Sequence, residues 1–160
     1  MNRDLIEQYA QGGEKLSMAI RGLTREDMLV VPTDPKIGKW TIQQIVIHLM
    51  DADLIWAARM KCIIAEDNPT IVGYDESKFA AGLFYDLQDA QVAVQIFDLN
   101  RKQFATVLRK LPDSAFTRFG QHNETGRITL EYSVQTMVNH LDHHVKFIHA
   151  KRAKMGKEMW

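Results

Sequence analysis

The chain has 160 residues, 46% of them apolar and 25% charged, which suits one globular domain over residues 1–160 and is short for two. Twenty basic residues balance twenty acidic ones, so there is no basic field to draw nucleic acid or an anionic bilayer, and the apolar runs are too short to span a membrane. Cys62 is the sole cysteine, which excludes an internal disulfide and suits a reducing compartment.

Met1-Asn2-Arg3-Asp4 leads into an amphipathic stretch rather than a signal peptide, and a cytoplasmic protein is expected. Leu5, Tyr9, Leu16, Ile20 and Leu23 recur at helical spacing and predict a first helix over about 2–22. Gly12-Gly13 weakens its middle. Pro32, Pro35 and Gly38 then keep the chain non-helical up to Trp40. Thr41-Ile42-Gln43-Gln44 has the pattern of a capping box and opens a second helix running to about Glu66. Its stripe of Ile42, Ile45, Leu49, Ala52, Trp56, Met60 and Ile63 includes His48. Ile47, Leu54 and Ile55 make further faces apolar, which points to a central position or to a second subunit.

Asn68-Pro69 ends that helix, and the segment to about Tyr85 is long enough to cross a bundle and let its flanking helices run parallel. A third helix is predicted over about Asp86–Leu111, stopped by Pro112, with Arg101 interrupting its apolar face. The stretch 113–128, with His122 and Gly126, reads as a turn-rich connector. Thr129 can cap a fourth helix reaching about Lys154, whose stripe contains His140, Leu141, His144 and Ile148. With no convincing run of alternating strand residues, the expected fold is an all-α four-helix bundle with long connections.

His140 and His144 are four residues apart, so a helix stacks their rings on one face, one turn apart. Such a pair can bind one divalent metal. The metalloprotease version carries a Glu beside the first His, where this chain has Leu141. An HxxxH pair alone is a weak signal. His48 on a second apolar stripe strengthens it, because three inward imidazoles are harder to satisfy as plain core residues. If the two helices pack together, His48, His140 and His144 form a three-nitrogen set with open positions, the layout of a catalytic site. Nitrogen ligands do not select among Zn, Ni, Fe(II) and Co. We rank Zn and Ni first, with Fe or Mn after them.

Trp40-Thr41, His48-Leu49, Asp67-Asn68-Pro69-Thr70-Ile71 and Tyr74-Asp75-Glu76 together resemble the DinB/YfiT-like superfamily. His122-Asn123-Glu124-Thr125-Gly126, Thr129-Leu130 and His140-Leu141-Asp142-His143-His144 resemble its YfiT branch. The resemblance covers about 25–150. It implies a four-helix bundle with a metal held by three histidines, at the positions of His48, His140 and His144. It also implies a frequent role as thiol S-transferases using bacillithiol, mycothiol or glutathione, thiol-dependent isomerases among the relatives, and homodimers. Asn123 stands where the pattern has Pro, and Leu141 where it has Gly, which bears on the choice of thiol or acceptor.

Secondary candidates are weighed against plainer roles. Arg59 and Arg101 can recognise a carboxylate on a thiol cosubstrate or substrate, or form bundle salt bridges. His122 can line the mouth of the site or serve its loop. Asp51 can orient a ligand or sit on a solvated face. His143 and His149 read as surface residues, and Cys62 as an inert buried thiol. The leading expectation is a metal-dependent transferase joining a low-molecular-weight thiol to a small electrophile. A metal-dependent hydrolase with the same site, and a non-catalytic metal-stabilised binding protein of a stress response, are the alternatives.

Overall fold

The computed structural model describes residues 3–158. Four long segments carry the architecture. The first is a pair of short helices, α1 (Asp4–Ala10) and α2 (Gly12–Ala19); after α3 (Arg25–Met28) come α4 (Ile42–Ala65), α5 (Glu76–Gly82), α6 (Ala90–Lys110) and α7 (Leu130–Lys154). The first predicted helix is therefore two helices meeting at Gln11, and its expected first residue, Asn2, lies outside the described residues. The glycines at the junction have a packing reason beyond their low helix propensity. A Cβ on Gly13 would lie 2.6 Å from the Cα of Asp98, and one on Gly12 would collide with the Arg101 guanidinium. Two bare positions let this segment press against α6.

Capping chemistry sets the other boundaries. Thr41 Oγ1 accepts from Gln44 N, and Gln44 Oε1 accepts from Thr41 N, so the capping box that starts α4 is complete. Asp89 caps α6 through Gln91 N and Val92 N, later than the expected start near Asp86, because Tyr85–Leu87 forms a separate 3-10 turn. Leu111 leaves the helix in extended conformation, as the residue before Pro112 must. Thr129 Oγ1 accepts from Tyr132 N at the head of α7.

Side-chain contacts reveal the helix directions. Gln43 at the start of α4 donates to Tyr85 O and Gln88 O just before α6, and Asp53 midway along α4 meets Asn100 and Arg101 midway along α6. These two helices run parallel, as the long connection allows. Glu7 pairs with Arg109, and Gly13 abuts Asp98, so the α1–α2 segment runs against α6. Lys15 pairs with Asp142, and Arg152 donates to Ala19 O, so it runs along α7. The bundle is thus down, up, up, down.

One expectation needs correcting. The stretch 113–128 contains strands β2 (Phe119–His122) and β3 (Gly126–Thr129), which pair antiparallel, while β1 (Thr70–Ile71) lies parallel to β2. Strands of two to four residues are too short to show alternation. Their backbone bonds tie the long connection to the hairpin: Gln121 N donates to Pro69 O, and Asn123 N to Ile71 O. Cys62 is half-buried rather than buried. Partial burial and Glu66 raise its pKa, so the thiol stays unactivated.

Arg101 and Asp53 are fully buried and joined at 2.7 Å. Removing the carboxylate alone strands a cation in the core, which costs about 3–5 kcal/mol, whereas replacing both partners by apolar side chains of similar size is far less harmful. We expect Asp53→Ala to lose stability on that scale and Asp53→Leu/Arg101→Met to recover most of it. Urea unfolding of the three proteins checks the difference.

Candidate metal centre

The early turns of α4 and the later half of α7 bring three histidines together. Because the helices are antiparallel, His48, in the second turn of α4, faces His140 and His144 across the bundle. Nε2 of His140 lies 3.1 Å from Nε2 of His48 and 3.1 Å from Nε2 of His144. The ring centroids are 4.6–5.0 Å apart and every ring pair is tilted edge to face. His48 is fully buried, the other two half-buried. Trp40 packs edge-on against His48 at 4.8 Å.

Protons cannot satisfy this arrangement. Among the described residues Nδ1 of each ring is buried without a hydrogen-bond partner, and the Nε2 atoms make hydrogen-bond contacts with one another alone. A neutral imidazole offers at each nitrogen one hydrogen or one lone pair. His140 Nε2 must therefore share a single hydrogen, or a single lone pair, between two neighbours, and no choice of tautomers makes two good bonds. A cation accepting all three lone pairs resolves the conflict. The spacing fits: two nitrogens each 2.0–2.1 Å from one zinc are about 3.0–3.4 Å apart. Burial, with repulsion between the rings adding to it, lowers the pKa of all three to about 3, which keeps them in the neutral form a metal requires.

The cavity beside the set is about 270 Å³ and is walled by Ile37, Trp40, Ile45 and Phe147 together with His144. Trp40 and Ile45 flank the Thr41 cap at the spacing of a hydrophobic staple, so the device that fixes the entry of α4 also builds the cavity wall. Glu76, at the first position of α5, lines it as well, and Asp75 just before it caps that helix through Lys78 N.

The secondary candidates lie elsewhere. Arg101 Nε donates to Asp53, Nη2 to Met137 O at 2.9 Å and Nη1 to Tyr9 O at 3.5 Å, so its donors are engaged inside the bundle. Arg59 donates to Val72 O and lies over the Trp56 and Tyr74 rings, holding the long connection against α4. His122 is buried in the hairpin, where Nδ1 accepts from Glu124 N and Thr125 N. Asp51, one turn beyond His48, accepts from the Tyr85 hydroxyl at 2.7 Å and makes no hydrogen bond to the set. His143 and His149 are exposed, as expected. Trp40 entered the sequence reading only as part of the resemblance, and Tyr85 and Lys151 were given no role in the site. For Trp40 the available signal was the staple spacing; Tyr85 lies in the 3-10 turn before α6 with no local signal of its own, and Lys151 sits among the basic residues expected at a helix C-terminus.

The class of protein follows from a three-histidine set in a down, up, up, down bundle, and comparison with known proteins agrees. A model of the DinB superfamily matches residues 8–148, and the chain belongs to that superfamily. A candidate metal-dependent hydrolase of Oceanobacillus iheyensis is 29% identical over 72% of this chain and 67% of its own length. One of Bacillus mycoides is 26% identical over 98% and 90%. Among solved structures, YfiT from Bacillus subtilis, described as a candidate metal-dependent hydrolase with an unusual four-helix bundle topology, superposes with a TM-score of 0.88 at 27% identity, covering 96% of this chain and 86% of that one. A mycothiol-dependent maleylpyruvate isomerase shares the fold, with a TM-score of 0.69 at 9% identity, over 91% of this chain and 59% of that one. No helix among the described residues is long and apolar enough to cross a membrane.

The depressed pKa values make a prediction for the metal-free protein. Each imidazole takes its proton near the ordinary value of 6.5 when unfolded and near 3 when folded. Between those values the unfolded chain holds more protons, so stability falls as pH falls. Thermal unfolding of metal-stripped protein should show a steady loss from about pH 6.5 downward, and His140→Gln/His144→Gln should flatten that slope. Circular dichroism melts from about pH 7 to about pH 4 measure both.

Proposed function

We propose that His48, His140 and His144 hold one divalent transition metal, Zn or Ni before Fe or Mn, and that the protein is a metal-dependent enzyme acting on a small molecule in the adjoining cavity. The observation that carries this is the unsatisfiable contact at His140 Nε2, which a cation relieves. Bound there, such a cation supplies Lewis acidity and lowers the pKa of a thiol or water in an open position. The three imidazoles remain neutral and fix the facial geometry. Trp40 and the surrounding apolar side chains hold His48 in place and exclude water from one side of the set.

Thiol transfer is the reaction we favour. Among the described residues no carboxylate is hydrogen-bonded to the histidines, and the adjoining cavity is mostly apolar, so the chain's main contribution would be to orient two small molecules there. The thiol would be of the bacillithiol, mycothiol or glutathione type. Hydrolysis is the second reading, and Glu76 supports it. That side chain is a carboxylate lining the same cavity as His144, placed to take a proton from attacking water. The naming of the Bacillus relatives points the same way.

A cytoplasmic homodimer remains part of the proposal. Ile47, read as a spare apolar face of α4, is buried within the chain, while Leu54 on α4 and Val92, Ile96, Leu99 and Val107 along α6 are exposed at helical spacing. Sedimentation of the purified protein reads the oligomeric state.

His144→Ala is expected to abolish both metal retention and turnover while the bundle stays helical. Elemental analysis of untagged protein beside the variant tests the metal, and an unchanged metal content or rate sinks the reading. Product that forms only with added thiol identifies transfer. Product formed without thiol, at a rate that Glu76→Gln lowers by an order of magnitude or more, identifies hydrolysis. A fall in melting temperature on chelation with no turnover under either condition would leave a metal-stabilised binding protein.

A further inference from the structure

Lys151 lies two turns beyond His144 on α7 and lines the same cavity. It is only 4% exposed. Its Nζ donates to Ile37 O and approaches the Phe147 ring at 5.5 Å, and among the described residues no carboxylate comes within ion-pair distance. On the same turns Lys154 pairs with Asp34 at 3.3 Å, while Arg152, likewise buried, spreads its charge over two carbonyls, Ala19 O and Arg21 O, and keeps Nε without a partner among the described residues. An ammonium has three donors and a full charge, and burying it with one carbonyl partner is costly. Space is kept beside it. Gly38 has a φ of 77°, and a Cβ there would stand 3.9 Å from Nζ and 3.7 Å from the Phe147 ring.

We propose that Lys151 is the anion-recognition residue of this cavity, and that the substrate is a small molecule with one carboxylate on an apolar body. The proposal rests on the reading of the histidine set as a metal centre with its substrate in the adjoining cavity. A single carboxylate suits one ammonium that has one protein acceptor and two further donors. Lys39 and Lys151 line the cavity against Glu76, so the side chains alone leave a single positive charge in excess, to which a bound metal would add. The apolar body follows from the walls of Trp40, Ile45 and Phe147. Burial lowers the Lys151 pKa, and a bound carboxylate would hold it in the charged form.

Benzoate and the neutral benzamide, of nearly the same shape, are suitable probes, titrated into the protein as purified by calorimetry with Trp40 fluorescence as a second signal. Benzoate should bind at least about tenfold more tightly, the scale of one hydrogen bond to a charged group. Lys151→Met should remove that preference and leave benzamide unchanged, and Lys151→Arg should keep it. Equal affinities in the unaltered protein, or a preference that survives Lys151→Met, overturn the proposal. His140→Ala/His144→Ala separates this from the metal reading. A preference that persists there and disappears in Lys151→Met assigns the anion to the lysine even if the metal reading fails. A preference lost there and kept in Lys151→Met places the carboxylate on the metal and overturns the proposal. Should Lys151→Met lose its helical signal, the benzoate-to-benzamide ratio in the histidine variant decides, because no metal remains there to attract the anion.

Discussion

The Arg101 guanidinium touches every long segment of the bundle. It projects from α6, ion-pairs with Asp53 on α4, donates to Tyr9 O on α1 and Met137 O on α7, and is sandwiched between the Tyr9 and Phe97 rings at 4.6 and 4.3 Å. A planar fork with donors in several directions reaches three other segments at once while both its faces stack on rings. Met137 precedes His140 by three residues, and Asp53 follows His48 by five. The node that holds the four segments in register thus lies directly beneath the layer where the imidazoles meet. A shift of α4 against α7 that opened the histidine set would also have to break either the Arg101–Asp53 pair or the bond from Arg101 to Met137 O, both of them buried.

Polar groups in this core divide into two kinds. Around Arg101 most are matched: Asp53 accepts from both Arg101 and Asn100, and Nη1 and Nη2 each reach a carbonyl, with the Tyr9 hydroxyl the exception. Around His140 they are not matched, and three Nδ1 atoms are left without partners as well. Natural cores hydrogen-bond almost all their buried polar groups, so a cluster of exceptions marks a place maintained for something other than stability. The departures from the YfiT pattern lie outside that cluster. Asn123 Oδ1 accepts from Gly73 N at 2.9 Å, joining hairpin to connection, and Leu141 is buried against Gly12, filling the space that a bare helix junction leaves.

Helical periodicity and caps made most of the fold legible in the sequence. The complete capping box at Thr41, the stop at Pro112 and the Thr129 cap gave α4, the end of α6 and α7 nearly to the residue, and two histidines a turn apart on an apolar stripe pointed to the candidate site. Other features depended on contacts between distant residues. The break at Gln11 reflects the approach of α6 to Gly12 and Gly13, which no local propensity encodes. Of the three short strands, β1 pairs with β2 across about fifty residues and β2 with β3 in a hairpin, each with too little length for its own pattern to show. Arg101 broke an apolar stripe in the sequence, yet its partner Asp53 carried no local sign, because the partner is chosen by the parallel course of α4 and α6. Lys151 resembled the other basic residues of a helix end, and only burial distinguishes it.

The parallel pairing of α4 and α6 obliges the chain to return along the whole bundle between them, and the returning segment carries Tyr74, Glu76 and Tyr85 past the end where the histidines sit. Histidine set and cavity rim are consequently written on separate stretches of the gene. The nitrogen set belongs to two long helices locked by their own core, while part of the rim belongs to a connection held by a few backbone bonds and the Arg59 contact. Insertions or substitutions in that connection can reshape what enters without disturbing the helices that hold the imidazoles. A change in that connection can therefore alter the mouth of the cavity while the geometry of the histidines stays fixed.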